Sequence, residues 1–199
     1  MTELPSADHF REEVLIAGFG GQGILFLGQI LAWSAFLTGK EVTWLPSYGP
    51  EMRGGTANCM VAISDRKILS PFVRRARVAI CLNQPSLLRF APAVVPHGFV
   101  IVDTSAVEVR GLREDLQIAE VPAGDIAGRC GAARLANVVL AGVYAALFPQ
   151  YINLEAGMAA LAQLSSGERA HLLTHNQAAL EAGYDYAVRH VTGPRTHLP

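Results

Sequence analysis

VLIAGFGGQG, residues 14–23, runs an apolar stretch straight into a glycine cluster and on into the long apolar segment 24–38. Residues 14–17 read as a buried β-strand, and Gly18, Gly20 and Gly23 satisfy the G-x-G-x-x-G spacing with an additional Gly21. Glycines at a strand-to-helix turn let the backbone reverse tightly and leave no Cβ above the peptide N–H groups. Unpaired N–H groups and the positive end of a helix dipole favour an anion, so phosphate, pyrophosphate or carboxylate is the expected guest. Close packing of strand on helix uses glycines in the same way, and the motif alone leaves both readings open.

A nicotinamide-binding unit places an Asp or Glu about twenty residues past the glycines, at the tip of the second strand, to hold the ribose hydroxyls. The second strand is expected over 41–45, and its tip reads Trp44, Leu45, Pro46 with no acid. Glu41 begins that strand and Glu51 falls in the following loop, so hydride transfer loses its main support. An NADP variant wants a basic residue, for which Arg53 is the candidate. A free-standing nicotinamide- or nucleotide-binding Rossmann protein therefore stays open as the alternative.

The 199 residues are enough to bury a substantial core without metals or disulfides. Hydrophobic residues make up 51% and charged ones only 17%, an apolar balance that implies partners. Gln29 and Ser34 interrupt the first apolar segment, and Arg134 and Asn137 interrupt 132–148, so no membrane span is expected. The beginning, MTELPSADHFREE, has no basic region followed by an apolar core; a secretory leader is not expected and cytoplasmic residence is. Cys59, Cys81 and Cys130 are scattered and odd in number, which suggests small buried hydrophobes, not a disulfide framework or an iron–sulfur or zinc site. A net charge of −1 gives no general attraction to nucleic acid, and the cluster Arg74, Arg75, Arg77 reads as a solvated face or an interface edge, not a nucleic-acid footprint.

Strands are expected over 56–63, 78–82, 99–102 and 117–121, with a short extended piece over 68–71. The segment 24–38 reads as a mostly buried helix ending at Gly39, and 84–94 as a crossover helix with Pro85 in its first turn. Helices follow over 132–147, 153–164 and 167–189. Alternating strands and helices closing with helices imply an α/β class: a Rossmann-like, doubly wound, mostly parallel sheet with C-terminal helices. The domain is expected over 1–191, with 192–199 as a disordered tail.

The loop 46–55, PSYGPEMRGG, packs turn formers around an aromatic, an acid and a guanidinium. A loop so specialised points to binding or contact. Arg53, flanked by Gly54 and Gly55, can present its planar fork to a phosphate or carboxylate, or can pair with Glu51 or Glu41 and merely staple the loop.

GFGGQG at 18–23, SYGPEMRGG at 47–55, a β-run ending in ISD at 63–65, SP at 70–71, NVVLAG from Asn137 and HNQAALEAGY from His175 together carry a resemblance. Over about residues 13–186 the chain resembles the gamma subunit, or gamma domain, of the 2-oxoacid:ferredoxin oxidoreductase family. The resemblance implies a subunit of a hetero-oligomeric enzyme that oxidatively decarboxylates a 2-oxoacid in the presence of coenzyme A, forming acyl-CoA and reducing ferredoxin. It implies alpha, beta and in some cases delta partners that carry thiamine diphosphate, Mg and 4Fe-4S clusters, and a noncatalytic chain here that helps bind or admit coenzyme A. The implied coenzyme A residues are Gly18, Gly20, Gly21, Gln22 near the mouth, Gly23, Tyr48, Glu51 and Arg53. The choice among pyruvate, 2-oxoglutarate, branched-chain 2-oxoacids and indolepyruvate is expected to reside on the partner chains.

The remaining polar candidates have structural alternatives. Asn137 reads as a cap or crevice residue, or as an asparagine buried against a neighbouring backbone. Asp103, at a strand end where open sheets bind ligands, equally suits a turn or helix cap. His97, His171 and His175 lack a metal-ligand pattern, and no G-x-S-x-G nucleophile motif occurs.

Overall fold

The structure, a computed structural model, describes residues 11–47, 56–73 and 75–193. Chain order runs β1 (Arg11–Phe19), α1 (Ile24–Leu37), β2 (Glu41–Ser47), β3 (Thr56–Ser64), β4 (Val78–Cys81), α2 (Gln84–Phe90), β5 (Phe99–Asp103) and β6 (Gln117–Val121). It continues with α3 (Ala123–Arg129), α4 (Ala136–Leu147), α5 (Leu154–Leu164) and α6 (Leu173–His190).

The six strands form one sheet in the order β2-β3-β1-β4-β5-β6. β1, β4, β5 and β6 are parallel neighbours, whereas β3 runs antiparallel to both β1 and β2. The fully apolar runs of β4 and β5 are buried throughout, as strands covered on both faces must be. β2 is an edge strand, which accommodates Pro46 because an edge needs one fewer N–H donor.

Coverage of the two sheet faces is unequal. One core joins Val14, Ile16, Val61 and Ile80 of the sheet to α1, α3, α4, α5 and α6. Among the described residues, the helices on the opposite face are α2 and its 3-10 extension, closing over Ala79, Cys81, Val100 and Val102 through Leu87 and Ala91, while Val73 and Ala76 of the β3–β4 connection pack on Leu15 and Ala62. The doubly wound expectation holds, with the C-terminal helices thickening one side.

Two glycines allow that thick layer. A Cβ on Gly142 of α4 would collide with the Leu180 carbonyl of α6, and one on Gly183 of α6 with the Val139 carbonyl of α4. The helices therefore touch backbone to backbone, and the NVVLAG and HNQAALEAGY motifs are the two sides of this seam.

Several sequence expectations change. α3 escapes a hydropathy reading because it is only seven residues, AGDIAGR, with two glycines. The piece 68–71 joins no strand ladder. α1 buries one face as expected, but Trp33, Phe36 and Leu37 stay exposed along one flank. Cys59 and Cys81 are buried, but Cys130 is only partly so. The tail beyond Gly193 lies outside the described residues.

Arg77 is partly exposed, but its guanidinium is tied to the protein's interior. Its Nη1 donates to the Tyr151 hydroxyl at 2.7 Å and sits 3.4 Å from Oε2 of Glu12, which is fully buried at the amino end of β1. Arg75 is exposed, and Arg74 lies outside the described residues. Burial outweighs the attraction of Arg77 and raises the Glu12 carboxyl from 4.5 to about 7. The fold thus prefers the neutral acid.

Between the ordinary carboxylate value and about 7, the folded chain retains a proton that the unfolded chain has released. The Glu12 contribution is therefore full below the ordinary value and is lost as pH rises through about 7. Glu12→Gln should flatten this dependence, seen as unfolding free energies from urea titrations that fall from about pH 5 to about pH 8 by up to roughly 3 kcal/mol more in wild type than in the variant. Gly142→Ala should force the α4–α6 seam apart, costing about 2–3 kcal/mol and lowering the melting temperature by roughly 4–12 °C. Gly128→Ala, at an exposed helical site with open space above it, should instead stabilise by about 0.5–1 kcal/mol in the same melts.

Candidate functional site

The turn between β1 and α1 closes when the Gln22 N–H donates to the Phe19 carbonyl at 3.2 Å. Gly21 (φ +97°) and Gly23 (φ +73°) take left-handed backbone conformations that only glycine adopts cheaply. Gly23 is the N-cap of α1, and no side chain caps the helix. The N–H groups of its first turn are those that a helix leaves without internal partners.

The expected glycines divide by task. Gly20 and Gly21 are exposed, and open space lies where a Cβ on Gly21 would stand. Gly18 is buried in β1: its Cβ would stand 2.5 Å from Ile24 Cδ1 and 2.8 Å from Gln22 Oε1, so it serves close packing. A Cβ on Gly23 would strike the Asn137 amide. Asn137 is buried, and its Nδ2 donates to the Gly23 carbonyl at 3.1 Å. The buried-asparagine reading is therefore the one the structure bears out, and it pins α4 to the glycine turn.

Gln22 does not point into a ligand mouth. Its Oε1 accepts from the Phe19 N–H at 2.7 Å and from Asn83 Nδ2 at 3.1 Å, while its Nε2 donates to the Leu82 carbonyl at 2.9 Å. Asn83 in turn accepts from the Ser86 N–H at 2.9 Å and caps α2. A side-chain amide thus staples the end of β1 to the end of β4. Asn83 was missed in the sequence because an isolated Leu-Asn-Gln gives no sign of a partner 61 residues away.

This staple sits where the sheet changes direction. From β1 the chain crosses to β2 and β3 on one side, while β4 leads to β5 and β6 on the other. The crevice outside the carboxyl ends at such a point is the customary ligand site of open α/β sheets. β2 lies two strands from β1, about 10 Å away. Its tip therefore does not stand over the turn as the ribose-binding strand of a nicotinamide site does.

Tyr48, Glu51 and Arg53 lie outside the described residues. The anchors of their loop are described: Phe19 pairs with Thr56 and Ser47 with Asn58. The loop therefore leaves and re-enters the sheet at the end that carries the glycine turn.

The other candidates are structural. Asp103 Oδ1 accepts from the N–H groups of Ser105 and Ala123, each at 3.0 Å, and of Gly124 at 3.3 Å, capping α3 from the tip of β5. His171 and His175 are exposed, and among the described residues no group of three metal-ligating side chains assembles. Burial pushes the thiols of Cys59 and Cys81 up to about 12, which leaves both protonated and inert.

Strand order, glycine turn and flanking helices together define a Rossmann-like α/β domain. The chain belongs to the pyruvate ferredoxin/flavodoxin oxidoreductase family, whose model matches residues 13–186. It is 40% identical over 185 residues to ketoisovalerate oxidoreductase subunit VorA of Methanothermobacter marburgensis, covering 92% of this chain and 38% of that one. The chain thus spans little more than a third of that longer relative. It is 36% identical over 135 residues to 2-oxoglutarate synthase subunit KorC of Methanocaldococcus jannaschii, covering 66% of this chain and 72% of that one.

Among solved structures, a keto/oxoacid ferredoxin oxidoreductase gamma subunit from Geobacter sulfurreducens superposes with a TM-score of 0.75 at 27% identity. That match covers 89% of this chain and 99% of the other. A 2-oxoglutarate:ferredoxin oxidoreductase from Magnetococcus marinus, with 2-oxoglutarate, coenzyme A and succinyl-CoA bound, shares the fold with a TM-score of 0.80 at 22% identity. There the match covers 93% of this chain but only 33% of the larger one.

Gln22→Ala should strand the Phe19 N–H and the Leu82 carbonyl and destabilise the domain by about 1–3 kcal/mol, measured from denaturant midpoints.

Proposed function

We propose that this chain is the gamma-type subunit of a 2-oxoacid:ferredoxin oxidoreductase, a hetero-oligomer that oxidatively decarboxylates a 2-oxoacid with coenzyme A to acyl-CoA and passes the electrons to ferredoxin. The observation that carries the reading is the correspondence of this chain, nearly end to end, with a stand-alone gamma subunit of a keto/oxoacid ferredoxin oxidoreductase. In this reading alpha, beta and, in complexes that have one, delta partners carry thiamine diphosphate, Mg and the 4Fe-4S clusters. The cysteines here suit that division, since a cluster needs thiolates and Cys59 and Cys81 are buried thiols on separate strands.

The role of this chain is to receive the anionic part of coenzyme A. The donor set fits: Gly20 and Gly21 are bare and exposed, α1 presents its N-terminus, and the left-handed turn is held open by Gln22 and Asn137. Tyr48, Glu51 and Arg53 belong to the same proposal through their loop anchors, with Arg53 pairing a phosphate. Gly18, Gln22 and Gly23 support the cradle without facing the ligand. Bound there, coenzyme A supplies the thiol that accepts the acyl group, and this chain orients its phosphates. Among the described residues no helix is long and apolar enough to cross a membrane, and the free thiols suit a reducing cytoplasm.

Tagged chain recovered from its own cells should bring down larger thiamine-dependent subunits, and the chain alone should show no 2-oxoacid oxidation. Calorimetric titration of the assembled complex should give a coenzyme A isotherm that Arg53→Ala weakens about tenfold or more at unchanged melting temperature. A tight NAD isotherm with no response to coenzyme A overturns the reading.

A further inference from the structure

Glu12 lies at the amino end of β1 with its side chain fully buried. Arg77 faces it from the approach to β4, Tyr144 from α4, Tyr151 from the corner 148–153 that follows α4, and Glu13 from the next position of its own strand. Arg77 Nη1 stands 3.4 Å from Glu12 Oε2 and donates to the Tyr151 hydroxyl at 2.7 Å, while Glu13 is paired with Arg11 at 2.7 Å. Among the described residues, Glu12 Oε1 and the Tyr144 hydroxyl are buried without a hydrogen-bond partner. A neutral carboxyl tolerates one such oxygen far better than a carboxylate does.

The cover over this carboxyl is uneven. On the inner side Phe148 packs on Tyr144 with ring centroids 4.8 Å apart and edge to face on Phe99 at 5.5 Å, and all three rings are buried. On the outer side stand Tyr151 and Arg77, whose side chain is 42% exposed. The corner that carries Tyr151 has an exposed tip, Pro149 and Gln150. It holds its shape through the Tyr151 and Ile152 N–H groups, which donate to the Phe148 carbonyl at 3.0 and 3.3 Å. Water therefore reaches the carboxyl most readily by displacing this corner, with the β1–β4 pairing from Val14 and Val78 onward left in place.

We propose that the corner 148–153 is a proton-operated latch, shut over Glu12 while the carboxyl holds its proton and swung open to water once the proton leaves. Opening exchanges the Arg77–Tyr151 hydrogen bond for hydrated partners and gives Glu12 Oε1 the donors it lacks when shut. The shut form keeps the proton up to about 7, whereas the open form releases it at the ordinary value of 4.5. The open fraction is therefore lowest in acid, rises by up to about tenfold per pH unit between those two values and levels off above the upper one. The linkage that weakens the whole domain as pH rises thus acts first at its thinnest cover.

Hydrogen exchange of the full chain, followed residue by residue by NMR and corrected for the intrinsic rate at each pH, tests the latch. The Tyr151 and Ile152 amides should open at least about thirtyfold more often at about pH 7 than at about pH 5. Their rates should be indifferent to low urea, because a local opening exposes little surface. Amides of β4 should exchange more slowly and respond steeply to urea. In Glu12→Gln the corner amides should lose their pH dependence. Corner amides that exchange only together with β4, at the same urea dependence, assign the linkage to whole-domain unfolding and overturn the latch. Corner amides that open locally with no pH dependence overturn it as well, as does a pH dependence that survives Glu12→Gln. The wild-type readings need no substitution, so they decide even if the variant fails to fold.

Discussion

The hydrogen bond from Asn137 to the Gly23 carbonyl fixes the point on which this domain turns. β1 must reverse into α1 within four residues, and two of those residues adopt left-handed conformations. A glycine turn so bare has little stiffness of its own. Asn137 holds it from α4, Gln22 holds it to the end of β4, and Asn83 passes the connection on to α2. Among the described residues, β1, α1, β4, α2 and α4 are thus tied to one backbone reversal, and the exposed Gly20 and Gly21 gain a defined position from their neighbours.

The same logic separates the two ends of the sheet. At the carboxyl end, neutral amides organise backbone and leave N–H groups outward. At the amino end, Glu12, Arg77 and Tyr151 form a polar cluster whose buried acid is pushed up to about 7 by desolvation. Small residues govern the thick helical layer, where Gly142 and Gly183 allow α4 and α6 to touch through their main chains. The thin layer, α2 and its 3-10 extension, leaves much of the sheet's second face to loops.

Hydropathy made the sheet legible because apolar β4 and β5 had no other plausible home, and the glycine turn was legible because strand, glycines and helix stand contiguous in sequence. What sequence could not supply was partnership across distance. Gln22 looked like a ligand-facing side chain because its partners, Leu82 and Asn83, are sixty residues away. Arg77 looked solvated because Glu12 pairs with it only once β1 and β4 lie side by side. The antiparallel β3 between β1 and β2 was equally invisible, since alternation within a strand is blind to the direction of its neighbour. α1 is apolar on nearly every face, and pattern alone assigned it mostly to the interior without showing which flank stays exposed. Its exposed aromatics mark the place where the chain's own core ends.

The Asn137 contact also orders events during synthesis. Gly23 leaves the ribosome early, yet the amide that secures it follows 114 residues later. β1 likewise waits for β3 and β4, which flank it in the finished sheet. The glycine turn is thus secured only by residues synthesised well after it, and a nascent chain that stops short of α4 carries the loop without its Asn137 contact.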